Sequence, residues 1–188
     1  MPIACLGWGS LVWDPRGLPI RRPWFMDGPL LPIEFARQSN DGRLTLVLVR
    51  NQPSVPLVRS LWGLFSVSEL DLARQALADR EGIRKERLNV DIGSWAGEDA
   101  QVEIERRIEV WARSTQIEAV VWANLPTKFR GDVGRIPSGD EAVHYLRDLP
   151  HEKRGLAEHY IRMTPRQVDT EYRTRFETEF GWTCLSPI

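Results

Sequence analysis

Short apolar runs separated by turn-forming residues dominate the first third of the chain and predict strands. The first run, Ile3 to Leu6, ends at a glycine-rich stretch, and two further runs cover residues 31–37 and 44–49. Between the last two lies Asn40-Asp41-Gly42, which is a strong hairpin signal when apolar runs flank it. The pattern therefore predicts one buried strand followed by a hairpin.

Two more segments complete the strand prediction. Residues 58–67 predict a further strand with Gly63 inside it, and Ala119 to Trp122 predict a short buried one. Residues 18–30 are rich in proline and glycine, which predicts an irregular surface excursion instead of a strand.

A helical period follows the strands. The apolar positions at helical spacing are Leu70, Ala73 and Leu77. Ser68, with Asp71 three residues on, is the predicted N-cap, and Gly82 is the predicted stop. This interpretation places Glu81 in the last turn of the helix.

Later segments predict further helices. They are residues 102–114 with an apolar stripe of Ile104, Ile108 and Trp111, residues 138–149 behind a Ser138–Glu141 capping box, residues 153–163, and a helix starting at Thr164-Pro165-Arg166-Gln167. Strands come first and helices mostly later, which favours an α+β fold with a mainly antiparallel sheet.

Length and charge narrow the class of protein. The chain has 188 residues, which fits one domain over residues 1–188. The net charge of −1 shows no basic excess, so a nucleic-acid partner is not expected. No apolar run reaches the roughly 20 residues of a membrane span, and the first residues lack a basic n-region, so we expect a cytoplasmic protein.

The cysteine and histidine content does not favour a metal site or a disulfide-based function. The two cysteines, Cys5 and Cys184, lie near opposite ends of the chain and allow neither a disulfide framework nor a CxxC site. The three histidines have no cysteine near them, so no metal is expected.

The stretch Gly7-Trp8-Gly9-Ser10-Leu11 is the first candidate for chemistry. Glycines after a strand allow backbone amides to converge on one point, and such a nest binds carboxylates or carbonyl oxygens. The spacing alone fits a plain tight turn as well. A dinucleotide fingerprint is disfavoured because the third glycine is missing, and Ser10 is not in a nucleophile-elbow context.

Glu81 is the second candidate. A carboxylate at a helix C-terminus faces the negative end of the helix dipole, which disfavours its charged form, as partial burial does. A raised pKa is what a general base near neutral pH requires. The alternative is a solvated glutamate at a frayed helix end.

Four segments, in order, resemble the γ-glutamylcyclotransferase family, especially its glutathione-degrading branch. Residues 6–13, Leu-Gly-Trp-Gly-Ser-Leu-Val-Trp, resemble the family's YGSL signature, and residues 35–39 resemble its strand ending in Ser. Residues 62–67, Trp-Gly-Leu-Phe-Ser-Val, are similar to another family strand. Residues 77–83, with Glu81 followed by Gly82, resemble the helix end whose glutamate is the family's acid/base.

This resemblance implies a compact α+β fold with a barrel-like sheet flanked by helices, and a reaction. In that reaction the α-amine of a small-molecule γ-glutamyl substrate attacks its own γ-amide carbonyl, releasing an amine and 5-oxoproline. It implies no metal or organic cofactor. The implied roles are acid/base for Glu81 and substrate binding for Gly7, Trp8, Gly9, Ser10, Leu11 and Ser39.

Residue 8 departs from the family's pattern and leaves the function open. The family's tyrosine is Trp8 here, and an indole N–H donates a hydrogen bond but accepts none. A non-enzymatic binding protein on the same fold is therefore the alternative, and amide hydrolysis by Ser10 lacks a histidine pattern to support it. A later tyrosine often lines the family's pocket, and three are present: Tyr145, Tyr160 and Tyr172.

Overall fold

A computed structural model describes residues 1–186. In it the chain forms two units, and each unit is built from several separate segments of the sequence. The first unit comprises Met1–Gly7, Asp14–Leu31 and Arg59–Leu125. The second comprises Trp8–Trp13, Pro32–Val58 and the chain from Pro126 onward. The expectation of one domain over residues 1–188 stays a prediction.

Ten strands and six helices are assigned within residues 1–186. The strands are β1 (Ile3–Gly7), β2 (Ile20–Phe25), β3 (Leu30–Gln38), β4 (Leu44–Leu48), β5 (Leu57–Arg59), β6 (Leu61–Phe65), β7 (Ile92–Trp95), β8 (Ala119–Ala123), β9 (Lys128–Phe129) and β10 (Asp132–Val133). The helices are α1 (Leu70–Glu81), α2 (Leu88–Asp91), α3 (Glu103–Ser114), α4 (Gly139–Arg147), α5 (His151–Met163) and α6 (Glu171–Phe180), with a 3₁₀ turn at Lys85–Arg87.

The first unit is built on a five-stranded sheet in the order β2-β6-β1-β8-β7. β1 lies at its centre, antiparallel to β6 and parallel to β8, and all five residues of β1 are buried. A strand that is covered on both faces has an uninterrupted apolar sequence, which is the pattern that predicted β1. Helices α1 and α3 both contact β7 and β8.

The second unit contains a sheet in the order β10-β9-β3-β4, with β5 also paired to β3. β3 and β4 are antiparallel and form the predicted hairpin, in which Gly42 has φ of 91°. Helix α4 begins with the predicted capping box, in which Ser138 and Glu141 bond each other's backbone N–H groups. This hairpin and this helix start are confirmed.

The α+β prediction is confirmed in its general form, with two sheets and helices beside them, but the barrel-like sheet is wrong. Within residues 1–186 the strands do not close into a barrel, because β2 and β7 end one sheet and β10 and β4 end the other. Most strand pairs are antiparallel, while β1–β8 and β3–β9 are parallel. No helix among the described residues is long and apolar enough to cross a bilayer.

The predicted strand over residues 58–67 is divided between the two sheets. β5 ends at Arg59 and β6 begins at Leu61. Between them, the fully buried Ser60 donates hydrogen bonds to the Pro29 carbonyl from both its backbone N–H and its hydroxyl. These two bonds fix the break between the strands. The residue pattern did not predict this break, because only two polar residues, Arg59 and Ser60, separate Val58 from the apolar run that begins at Leu61.

The irregular excursion predicted for residues 18–30 is partly wrong, because β2 lies within it. Pro23 sits inside this strand, where it cannot donate to a strand ladder. β2 is an edge strand, its pairing with β6 is irregular between Arg21 and Phe25, and edge positions tolerate proline.

Two predicted helix starts are also wrong. The N-cap of α1 is Glu69, without a side-chain cap bond, and not Ser68. Thr164-Pro165-Arg166-Gln167 does not begin a helix, because the Arg173 guanidinium binds the carbonyls of Thr164, Pro165 and Val168. The last helix begins after Thr170, whose hydroxyl accepts a bond from the Arg173 backbone N–H.

A buried carboxylate holds the start of α6. Glu34 on β3 is only 2% exposed and accepts bonds from the Thr170 hydroxyl at 2.5 Å and the Phe35 N–H at 2.8 Å. The Tyr172 N–H adds a third bond at 3.3 Å. Burial raises the pKa of Glu34 to about 7, although these three hydrogen bonds lower it. Glu34 is therefore a titratable group inside the second unit.

Candidate functional site

Glu81 is held at a well-defined helix end in the first unit. It is the last residue of α1, and Gly82 follows in the left-handed conformation with φ of 67° and ψ of 31°. The N–H groups of Gly82 and Ile83 bond the carbonyls of Asp79 and Ala78, which closes the helix as the sequence predicts for glycine at this position. The Glu81 side chain is 19% exposed. The carboxylate is thus half-buried, not at a frayed end.

Arg80 is the direct partner of this carboxylate. Its Nη1 lies 3.1 Å from Glu81 Oε1, and its Nη2 donates to the Asp14 carbonyl at 2.7 Å. Burial raises the pKa of Glu81, and the positive charges of Arg80 and Arg16 oppose that rise. A carboxyl with a raised pKa in partial contact with solvent is suited to proton transfer near neutral pH.

Cys5, on the central strand of the same unit, is excluded as a nucleophile. Its side chain is fully buried. Burial, followed by the negative charge of Glu81, raises the pKa of the Cys5 thiol far above its ordinary value. Since the thiolate is the reactive form, Cys5 stays inert.

The residues of the glycine-rich stretch divide between the units. Gly7 ends β1 in the first unit, and Trp8–Trp13 belong to the second. There the Val12 N–H bonds the Gly9 carbonyl at 3.0 Å, so Ser10 and Leu11 are the central residues of a tight turn. Ser10 is half-buried and Leu11 is buried.

Trp8 supports this turn from within the second unit. Its ring is 5% exposed, and its indole N–H donates to the Leu46 carbonyl at 3.3 Å. The one polar atom of the Trp8 side chain is therefore used by the protein backbone. The Trp8 side chain thus binds β4 within the second unit.

Tyr160 is the tyrosine that lies against the turn. Its hydroxyl accepts a bond from the Leu46 N–H at 3.2 Å, and a Cβ added at Gly9 would lie 2.4 Å from its hydroxyl oxygen. Trp13 contacts the Tyr160 ring edge-on at 5.4 Å, and the Arg43 guanidinium lies 5.4 Å from its centre. Gly9 is thus needed for this close approach.

The other two tyrosines use their hydroxyls elsewhere in the second unit. Tyr145 donates to the Gly42 carbonyl at 2.6 Å, and Tyr172 donates to the Pro137 carbonyl at 2.5 Å. The sequence left the three tyrosines open, because each fits ordinary helix-face packing. Only tertiary structure places Tyr160 at Gly9.

Ser39 lies in the β3–β4 hairpin and bonds within it. Its hydroxyl is 2.5 Å from Asp41 Oδ1 and 3.1 Å from the Arg43 carbonyl. These bonds fit a turn-stabilising role for the side chain. The substrate-binding role implied by the resemblance stays a prediction for Ser39, as it does for Gly7, Trp8, Gly9, Ser10 and Leu11.

The contact between Gly9 and Tyr160 predicts a specific compensation. Gly9→Ala is expected to lower the free energy of unfolding by about 1–3 kcal/mol, because its methyl group meets the Tyr160 hydroxyl oxygen. In a Tyr160→Phe background the nearest atom is the ring carbon at 3.5 Å, an ordinary contact, so the cost of the alanine is expected to fall to a few tenths. Denaturant unfolding of all four proteins measures this coupling.

Gly17→Ala is the matched control for this cycle, because no atom lies within 4 Å of a Cβ at that position. An equal cost of Gly9→Ala in both backgrounds would contradict the proposed contact.

No group of three His, Cys, Asp or Glu side chains within residues 1–186 is arranged to hold a metal ion.

Comparison of the chain with models of protein families, with curated proteins and with solved structures gives no match. The family resemblance therefore rests on the sequence motifs alone and stays a prediction.

Proposed function

We propose that this protein is a cyclotransferase that converts a γ-glutamyl amide or peptide to 5-oxoproline and a free amine. The observation that carries the proposal is the half-buried Glu81 carboxyl, held by the buried Arg80 side chain at a capped helix end. Its pKa is raised by burial, which is the property that an acid/base group needs near neutral pH.

In this mechanism Glu81 transfers protons. The α-amine of the substrate gives a proton to the carboxylate and attacks the γ-carbonyl carbon, forming the new ring C–N bond. The bond from that carbon to the departing nitrogen then breaks, and the Glu81 carboxyl returns the proton to the leaving amine. Nucleophile and electrophile are in one molecule, so catalysis needs mainly a fixed conformer and a proton acceptor.

A separate proposal concerns the turn at Gly9 in the second unit. Backbone N–H groups in a glycine turn can bind a carboxylate, and the family resemblance implies that this turn binds substrate. Tyr160, whose hydroxyl lies against Gly9, fixes the shape of the turn.

The engaged Trp8 indole favours one alternative, a binding protein without activity. Trp8 replaces a hydroxyl group of the family with an N–H that bonds the Leu46 carbonyl. If this hydroxyl is needed for turnover, the chain binds a γ-glutamyl compound and does not convert it.

The test is incubation of the purified protein with γ-glutamyl dipeptides, γ-glutamyl amines and glutathione, followed by quantification of 5-oxoproline. Turnover is expected for at least one of them. Two controls each lack one reacting group: α-glutamyl dipeptides have no γ-amide, and N-acetylated γ-glutamyl dipeptides have no free amine. Formation of as much 5-oxoproline from the controls as from the γ-glutamyl compounds would contradict the proposed cyclotransferase activity. The absence of 5-oxoproline with every compound would contradict it too. Binding measured by calorimetry without turnover would support the alternative.

A further inference from the structure

The Arg80 guanidinium is a buried charge that binds groups in two different segments of the chain. Its side chain is only 6% exposed, and burial of a guanidinium is costly unless its donors are paired. Nη1 pairs with the Glu81 carboxylate, and Nη2 donates to the backbone carbonyl of Asp14. Arg80 therefore ties the end of α1 to the chain at Asp14.

The pairing of Arg80 with Glu81 differs from the usual ion pair on a helix. Adjacent helical residues project about 100° apart, so the favourable pairs are three or four residues apart. Such pairs occur elsewhere in this chain, for example Arg113 with Glu109, and there the arginine is 53% exposed. The Arg80–Glu81 contact needs the guanidinium to be held in place from outside the helix, and the Asp14 carbonyl at 2.7 Å does so.

We propose that Arg80 is a positioning residue that fixes Glu81 Oε1, so that Oε2 exchanges the proton with substrate. This inference rests on the proposed cyclotransferase function and assigns a role that the sequence motifs do not. It makes two separable demands on Arg80: a positive charge beside the carboxylate, and a planar group with two donors that reaches both Glu81 and Asp14.

The charge has a defined effect because few charged or titratable groups act on Glu81. Among the described residues they are Arg80 on its own helix, Arg16 after the first strand, and the neutral Cys5 thiol on β1. Arg80 lowers the pKa of Glu81 against the effect of burial. Loss of the Arg80 charge therefore raises that pKa further, so less carboxylate is present at a given pH. The acid limb of the pH–rate profile then moves to higher pH.

The test compares Arg80→Gln and Arg80→Lys with Arg84→Gln, a matched change at an exposed arginine nearby on the chain. Arg80→Gln is expected to lower kcat by about tenfold to a hundredfold, with a smaller change in KM, because misplacement of a catalytic group costs rate. Its acid limb is expected to move to higher pH. Arg80→Lys keeps the charge but not both bonds, so its limb stays in place while kcat still falls.

A second measurement does not depend on turnover. The carbon-13 chemical shift of the Glu81 carboxyl, assigned by its loss in Glu81→Gln, reports the protonation of Glu81 directly. In Arg80→Gln its midpoint is expected at higher pH than in the native protein, and in Arg80→Lys near the native value. If no substrate is turned over, this titration still tests Arg80. If the Arg80→Gln protein folds, an unchanged Glu81 titration midpoint in that variant would overturn the proposal. If it does not fold, a native-like kcat in Arg80→Lys would overturn the proposal.

Discussion

Glu81→Gln is expected to lower kcat/KM for a γ-glutamyl substrate by about 10²–10⁴-fold, the usual contribution of a positioned acid/base. The amide of glutamine has almost the shape of the carboxylate but neither accepts a proton from the attacking amine nor returns one. Because Glu81 is 19% exposed and not fully buried, the variant is expected to keep its fold. Initial rates of 5-oxoproline formation measure the effect.

The matched control is Glu86→Gln, the same chemical change at an exposed position in the following 3₁₀ turn. Native-like rates are expected for this variant. Equal rates for the native protein and Glu81→Gln would refute the proton-transfer role, even if the protein proved to be a cyclotransferase. Loss of activity in both variants would point to a general effect on this region of the chain.

The native pH profile follows from the same carboxyl. Since burial raises its pKa above the ordinary value of 4.5, the active carboxylate form is lost at a higher pH than for an exposed glutamate. The acid limb of kcat/KM is expected above pH 4.5, and measurement from pH 4 to pH 8 locates it.

Glu34 gives the largest expected effect on stability. Its pKa is raised by burial from 4.5 to about 7 in the folded chain, so folding favours the protonated form. The stabilisation from that proton is fully present below pH 4.5 and is lost as the pH rises through about 7. A shift of this size corresponds to about 3 kcal/mol.

The measurement is the free energy of unfolding of the native protein relative to Glu34→Gln, from pH 4.5 to pH 8. Glutamine does not titrate, so the difference isolates Glu34. The native protein is expected to lose about 3 kcal/mol relative to the variant across this range and to level off above it. Glu152→Gln, the same chemical change at an exposed position at the start of α5, is the control for effects of the substitution itself. A flat difference for Glu34→Gln would show that burial does not raise its pKa.

Local sequence signals predicted the elements that are governed by local physics. The Asn40-Asp41-Gly42 turn, the Gly82 stop and the Ser138–Glu141 box are each satisfied by bonds within a few residues. The stripe of Ile104, Ile108 and Trp111 in α3 is buried as its spacing predicts. Such signals need no knowledge of the rest of the chain.

The sequence-based predictions are wrong where contacts with residues distant in the chain determine the local structure. Thr164-Pro165-Arg166-Gln167 has every mark of a helix start, yet Arg173 binds its carbonyls and the Thr164 hydroxyl donates to the Tyr160 carbonyl instead. β9 and β10 have two residues each, too few for any periodicity. For the candidate site, sequence order indicated Glu81 and the glycine turn, whereas the roles of Arg80 and Tyr160 depend on contacts with Asp14 and Gly9 that no spacing rule reveals.

The central place of β1 in its sheet has a consequence for how the protein is made. A ribosome makes this strand before its neighbours on either side, β6 and β8, and Cys5 pairs with Val121 more than a hundred residues away. The nascent strand lacks its second partner, β8, until more than a hundred further residues have been made, and an incompletely paired apolar strand invites association with other chains. A chaperone that shields β1 during synthesis is therefore expected to raise the yield of native protein.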